Sequence, residues 1–363
     1  MKAIKMHLIL MALVLSGATG ILPAQDSLRV APFHLSFITP LGTNGMQSWN
    51  TVNRISLNLF AGYSGGLKGI EMAGFANALR GDMNGIQMAG FCNNTFGQAK
   101  GLELAGFWNY NQKKISGLQL SGFANVALDS VDGIQGSGYA NVAVGDVRGV
   151  QSAGFANITV GDTRGVQAAG FANVTTGTQK GLQASGFVNY TRRLDGVQLG
   201  FINIADTVEG GIPIGFLSLV RHGYKVIQIG GNETFYGEVT FKTGVRRFYN
   251  IFSVGAAAVK GTPRWGFGYG LGTLFPVGKR FDLSLEGVSW QINDGEWYAG
   301  HMDLLNRLNL SLSYNFTRTI GVYAGAAFNV RVTGNEIDGE HPHHWTNEVT
   351  MYPGFNAGLR IGL

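Results

Sequence analysis

The chain has 363 residues, 56 of them glycine, and its 27 Lys and Arg against 22 Asp and Glu give a formal net charge of +5. Lys2 and Lys5 fall in the leader described next and setting them aside leaves +3, so thin an excess that it argues against a nucleic-acid partner. The single cysteine, Cys92, excludes an intrachain disulfide framework and any multi-cysteine metal site.

Residues 1–24 read as a secretory signal peptide: two lysines, an apolar run over 8–15, then small residues and Leu22-Pro23-Ala24, with cleavage expected after Ala24. The expectation is therefore an exported protein, and without a cysteine at the end of the leader a lipoprotein is not expected. No later stretch offers the roughly eighteen uninterrupted apolar residues of a membrane helix. Any passage through a bilayer must then use strands closed into a barrel, because lipid cannot satisfy an open sheet edge. Residues 25–68 form an N-terminal region with strands expected over 28–38 and 52–60, joined by a Gly, Asn and Ser-rich loop.

From 69 to 220 the chain repeats. Gly69, Gly85, Gly101, Gly117, Gly133, Gly149, Gly165 and Gly181 are each sixteen residues apart, and two shorter copies follow at Gly196 and Gly211. One copy reads Gly149-Val150-Gln151-Ser152-Ala153-Gly154-Phe155-Ala156-Asn157. A fixed period is the signature of a repeat architecture. We expect a β-solenoid, one copy to one coil, in which each residue stacks on its counterpart about 4.8 Å away. Phe91, Phe107, Phe123, Tyr139, Phe155, Phe171 and Phe187 then form an aromatic ladder, and Asn93, Asn109, Asn125, Asn141, Asn157, Asn173 and Asn189 an amide ladder. Glycines at the first and sixth positions are expected to supply positive φ at the corners. Charges gather in the last five positions, as in Asp146 and Arg148 or Asp162 and Arg164, and mark exposed corners. The aliphatic second position (Ile70, Ile134, Val150) and the tenth (Val126, Val142, Ile158) are expected to form the inner stripes.

The alternative is one large barrel with one strand per copy. Val150, Ser152, Gly154, Ala156, Ile158 and Val160 would then face lipid, while Gln151, Ala153, Phe155, Asn157 and Thr159 would line a pore.

Residues 221–363 carry longer alternating strands, expected over 236–245, 251–259, 265–275, 280–290, 305–314, 320–332 and 352–363. Leu308-Asn309-Leu310-Ser311-Leu312-Ser313 alternates cleanly, and Tyr236, Trp265, Trp290, Trp297 and Tyr298 stand near strand ends as an interfacial girdle would. The expected fold is all-β: a solenoid of 16-residue repeats combined with an antiparallel, outer-membrane-type barrel to which strands at both ends of the chain contribute. The repeat unit and the closing Gly358-Leu359-Arg360-Ile361-Gly362-Leu363 resemble bacterial surface-repeat proteins of the Gram-negative envelope with an outer-membrane-barrel-like C-terminal part. The resemblance implies location in the outer membrane or at the cell surface and no activity, since fold alone does not give function.

Chemistry-bearing residues are few. His341, His343 and His344, preceded by Glu336, Asp338 and Glu340, are the only local concentration of metal-type ligands and the candidate metal site. Glu71 and Glu103 replace the usual Gln two coils apart, and a substituted Gln in a polar stripe explains them more simply than a glycan-cleaving carboxylate pair. No histidine lies near a nucleophile motif, so no catalytic residues and no cofactor are expected. The sequence reads as a cell-envelope surface repeat protein with a structural or binding role, outer-membrane lipid as a partner and an unidentified extracellular or periplasmic ligand. Its rival is an outer-membrane pore or transport barrel.

Overall fold

The computed structural model describes residues 28–259, 261–295, 303–336 and 345–363, and the chain forms two compact units. One runs up to Phe201 and takes in Glu209–Gly211, and the other holds Ile202–Val208 and Ile212–Leu363. The fold is nearly all β, a parallel-strand solenoid of about 11 turns and a closed antiparallel barrel of eight strands.

From Met83 to Thr159 each coil has a strand of seven residues and one of four. In the copy at Gly149 these are Val147–Ala153 and Ala156–Thr159, with the chain turning between them at Gly154 and Phe155. Pairing with the next coil is parallel and in register: Val150 lies on Val166, Gln151 on Gln167 and Asn157 on Asn173. The ring of Phe155 stacks between Tyr139 and Phe171, 4.9 Å from each and within 2° of parallel. Consecutive copies therefore run in the same direction, which rules out one large barrel with a strand per repeat. The N-terminal strands belong to this stack as well. Arg29–Ile38 pairs in parallel with Thr51–Ser64, setting Phe33 beside Ile55 and Leu35 beside Leu57. The strands preceding the repeats thus start the solenoid and contribute nothing to the barrel.

The inner and outer faces are the reverse of the expected ones. Gln87, Gln119, Gln151 and Gln167 and the whole Asn column from Asn77 to Asn189 are fully buried, while Ile70 and Ile134 at the second position are 42% and 47% exposed. Strand alternation places the second and third positions on opposite faces, but hydrogen bonding decides which goes inside. Most of these amides meet the same group on a neighbouring coil: Gln151 Nε2 donates to Gln135 Oε1 at 2.8 Å, and Asn157 Nδ2 to Asn173 Oδ1 at 2.9 Å. Asn157 Nδ2 also donates to the Ala168 carbonyl at 2.7 Å. Buried amides satisfied in this way carry little of the desolvation penalty that would otherwise bar them from a core. Apolar packing inside comes from other columns, including Leu67, Met83, Ile115, Val131 and Val147 on one side and Leu79, Ala127 and Ala143 on the other.

The two glycine columns serve different needs. At the first position φ lies between +112° and +150°, a region L side chains rarely adopt. The sixth position has no such φ; there a Cβ on Gly154 would stand 2.1 Å from the Gly138 carbonyl oxygen. Close approach of stacked backbones excludes a side chain at that turn.

The barrel strands are Tyr224–Asn232, Gly237–Val245, Phe248–Val259, Thr262–Pro276, Phe281–Asp294, Asp303–Asn315, Ile320–Glu336 and Trp345–Gly362. Each pairs antiparallel with the next, and the last closes on the first through Val226 and Gly362. The first of these, Tyr224–Asn232, is not among the strands expected from the sequence, and Gly230 and Gly231 interrupt its alternation. Along Asp303–Asn315, Leu308, Leu310 and Leu312 are 52%, 51% and 47% exposed, whereas Asn309, Ser311 and Ser313 between them are 7%, 3% and 3%. Apolar side chains face outward and polar ones fill the interior. The segment Gly215–Ser218 seats on the same strands: Asn250 Nδ2 donates to the Gly215 carbonyl and the Ser218 amide donates to Asn250 Oδ1, both at 2.8 Å.

Candidate functional site

Two places gather polar chemistry, the barrel interior and the amide core of the solenoid. In the barrel, Lys242 and Glu286 form a buried ion pair, and Tyr249 Oη donates to Glu286 Oε1 at 2.6 Å. Farther along, Glu233 accepts from Arg307 Nη2 at 3.1 Å, from Asn329 Nδ2 at 2.7 Å and from the Phe355 amide at 2.8 Å. Arg307 is held in turn by Asn309 Oδ1 at 2.8 Å and the Phe355 carbonyl at 2.6 Å. Removing one member of such a network strands a buried charge. Beside it an apolar layer includes Phe235 against Trp290, rings 4.7 Å apart, with Ile251, Val288 and Ile292. The polar part encloses a cavity of about 20 Å³ lined by Lys242, Glu286, Arg307 and Tyr323 among others, room for about one water.

None of these lumen residues was singled out from sequence. The signal was present: Lys242, Glu286 and Arg307 each occupy the inward phase of an alternating strand, where a charge needs a partner across the barrel.

In the solenoid, Glu71 and Glu103 both point into the closed core, 0% and 1% exposed. Gln87 Nε2 donates to Glu71 Oε2 at 2.9 Å. Burial pushes the Glu71 carboxyl up to about 7, against the opposing pull of hydrogen bonds from Gln87, Ser56 and Asn58. Glu103 accepts from Thr95 Oγ1 and Asn111 Nδ2, each at 3.0 Å, and from Gln119 Nε2 at 2.7 Å. Burial raises its carboxyl too. The Gln column runs through Glu71, Gln87 and Glu103, so the two carboxylates share a core column with an amide between them. Neither faces an accessible groove.

The metal candidates His341, His343 and His344 lie outside the described residues. Among the described residues no three His, Cys, Asp or Glu side chains group as a metal site would require. His34 is buried in the first coil, its Nδ1 3.1 Å from Thr43 Oγ1. Cys92 is buried, and burial raises its thiol pKa. No family model, curated protein or solved structure matches the chain.

Proposed function

We propose that the chain is an exported protein of a Gram-negative envelope, anchored in the outer membrane by its eight-stranded barrel, whose repeat array has a structural or binding role and no catalysis of its own. The observation that carries this reading is the alternation around the closed barrel. Val239, Val254, Phe267, Leu285, Leu310 and Leu359 are exposed outward, while Gln228, Lys242, Glu286, Arg307 and Asn356 are buried inward. An outward apolar band with a polar lumen is the partition of a membrane barrel. The strands run from 9 to 18 residues, and a tilted crossing takes about 9–11. The filled lumen favours an anchor over a conduit, the rival function.

Expression with the leader in a Gram-negative host, followed by separation of the two membranes, tests the reading. The protein is expected in the outer-membrane fraction after an alkaline wash, and unboiled samples should migrate faster than boiled ones. Planar bilayers holding it should stay electrically silent. Recovery as a detergent-free soluble protein would overturn the anchor, and steady conductance would restore the conduit.

A further inference from the structure

The solenoid carries its own apolar surface. In the eight copies from Gly69 to Gly181, positions two to eleven hold only two charged residues, Glu71 and Glu103, and both are buried in the core. Every other charge of the array lies in the remaining positions, on one edge of the coil. Elsewhere the outward side chains are aliphatic, aromatic or small except for Asn94, and Phe75, Phe123, Tyr139, Phe155 and Phe171 are each 40–44% exposed. Water would drive such side chains inward and the Gln and Asn columns outward. We propose that the array lies in one leaflet of a lipid bilayer, its aromatic column toward the acyl chains and its charged edge at the headgroups. This goes beyond the barrel anchor and stands without it.

The shape of the apolar surface selects a fluid partner. Inside the coil Thr159 Oγ1 donates to Gln151 Oε1 at 3.0 Å, so the strands Val147–Ala153 and Ala156–Thr159 face each other. Val150 and Ser152 therefore point away from Ile158, with Phe155 on the turn between the two flanks. A second copy or another folded protein would cover one flank of this ridge. Acyl chains cover both flanks and the crest. Open grooves of about 380 and 730 Å³ run along the first flank, lined by residues such as Met88, Ala105 and Leu120 in one and Ala153, Ala169 and Leu199 in the other.

The backbone separates the two edges independently. At the aromatic turn the amides bond to the coil before: Gly154 N–H to the Ser137 carbonyl at 3.2 Å and Phe155 N–H to the Tyr139 carbonyl at 2.9 Å. These amides have protein acceptors and need none from water, which lipid could not supply. At the opposite edge carboxylates accept the amides, Asp146 from Asp162 N–H at 2.9 Å and Asp162 from Thr178 N–H at 2.7 Å. From Val150 to Gly154 an extended strand covers about 13 Å, close to the roughly 15 Å hydrocarbon depth of one leaflet.

The test uses the full chain with Cys92→Ala and one new cysteine at a time, labelled with a nitrobenzoxadiazole fluorophore and reconstituted into phosphatidylcholine vesicles. A fraction of the lipid carries a nitroxide midway along the acyl chain. Labels at Ser152→Cys and Ile158→Cys, on the two flanks, are expected to lose most of their emission, and a label at Arg164→Cys on the charged edge to keep it. Leu310→Cys, on the outer face of the barrel, separates the two ideas. If it is quenched while both flanks behave like the charged edge, the array lies in water and the inference falls with the anchor intact. If the flanks are quenched and Leu310→Cys is not, the anchor falls and the inference stands. Shielding of one flank alone, rising with protein-to-lipid ratio and without nitroxide quenching, would assign the surface to a second copy and overturn it.

Discussion

Replacing Glu71 with glutamine should stabilise the array above neutral pH and leave it unchanged in acid. The carboxyl is fully buried and its folded-state pKa stands at about 7, against 4.5 for the free group. Between those values the unfolded chain gives up a proton that the folded chain retains, so stability falls as pH rises, by about 1.4 kcal/mol per unit. The loss begins near the unfolded value, totals about 3 kcal/mol and levels off above the folded one. Glutamine cannot ionise. Its carbonyl can accept the bond that Glu71 Oε2 takes from Gln87 Nε2, as Gln135 Oε1 accepts from Gln151. Cys92, the only cysteine, is 6% exposed and lies on the neighbouring coil, where it pairs with Ala76. Brief labelling with 4,4′-dithiodipyridine after equilibration in urea therefore reads unfolding of the array. The Glu71→Gln midpoint should match the parent at pH 4 and correspond to a gain of about 3 kcal/mol at pH 8. An equal gain at both pH values, or a loss at pH 8, would refute the linkage between burial and ionisation.

Asn157→Leu keeps the volume but leaves the Ala168 carbonyl and Asn173 Oδ1 without the donor they now share. The same labelling should show a loss of about 4 kcal/mol, from two stranded acceptors. Gly149 has φ +131°, and a Cβ there would stand 2.0 Å from the Gly133 carbonyl oxygen. Gly149→Ala should cost at least about 3 kcal/mol in the labelling assay. Gly287→Ala, whose Cβ would meet nothing within 4 Å, should shift barrel stability by less than about 0.5 kcal/mol in urea titrations of the gel-mobility difference. In that titration Lys242→Met should lower stability by about 3–5 kcal/mol by leaving Glu286 unpaired. Lys242→Met with Glu286→Leu should recover most of the loss.

The sequence made the period, the parallel stacking and the barrel's alternation legible, because each is a statement about spacing. Seven sixteen-residue intervals without an insertion required like to lie over like, and the stacked rings from Phe75 to Phe187 bear this out. Spacing could not say which side of a strand is inside. Val150 and Gln151 occupy opposite faces in either arrangement, and ordinary hydrophobicity assigns the valine to the core. The assignment fails because an amide column satisfies itself only when every copy repeats it, a property of the stack that no single copy displays. The barrel's ion pairs were hidden for a related reason. Lys242 and Glu286 stand 44 residues apart, and only closure of the sheet brings them together.

In the barrel and the solenoid alike, hydrogen-bonding side chains turn inward and find partners supplied by closure or by repetition, leaving the outer surface free to be apolar. A soluble protein gains nothing from that freedom, because exposed leucines and phenylalanines cost hydration free energy and invite aggregation. The arrangement is favourable where the surrounding medium is itself apolar and cannot bond to a backbone. The Asp162 carboxylate accepts the Thr178 amide on the one edge where the array carries charge, whereas the amides of the aromatic turn donate to backbone carbonyls. A carboxylate is absent from that turn in all eight copies, as the proposed burial of one edge in lipid requires.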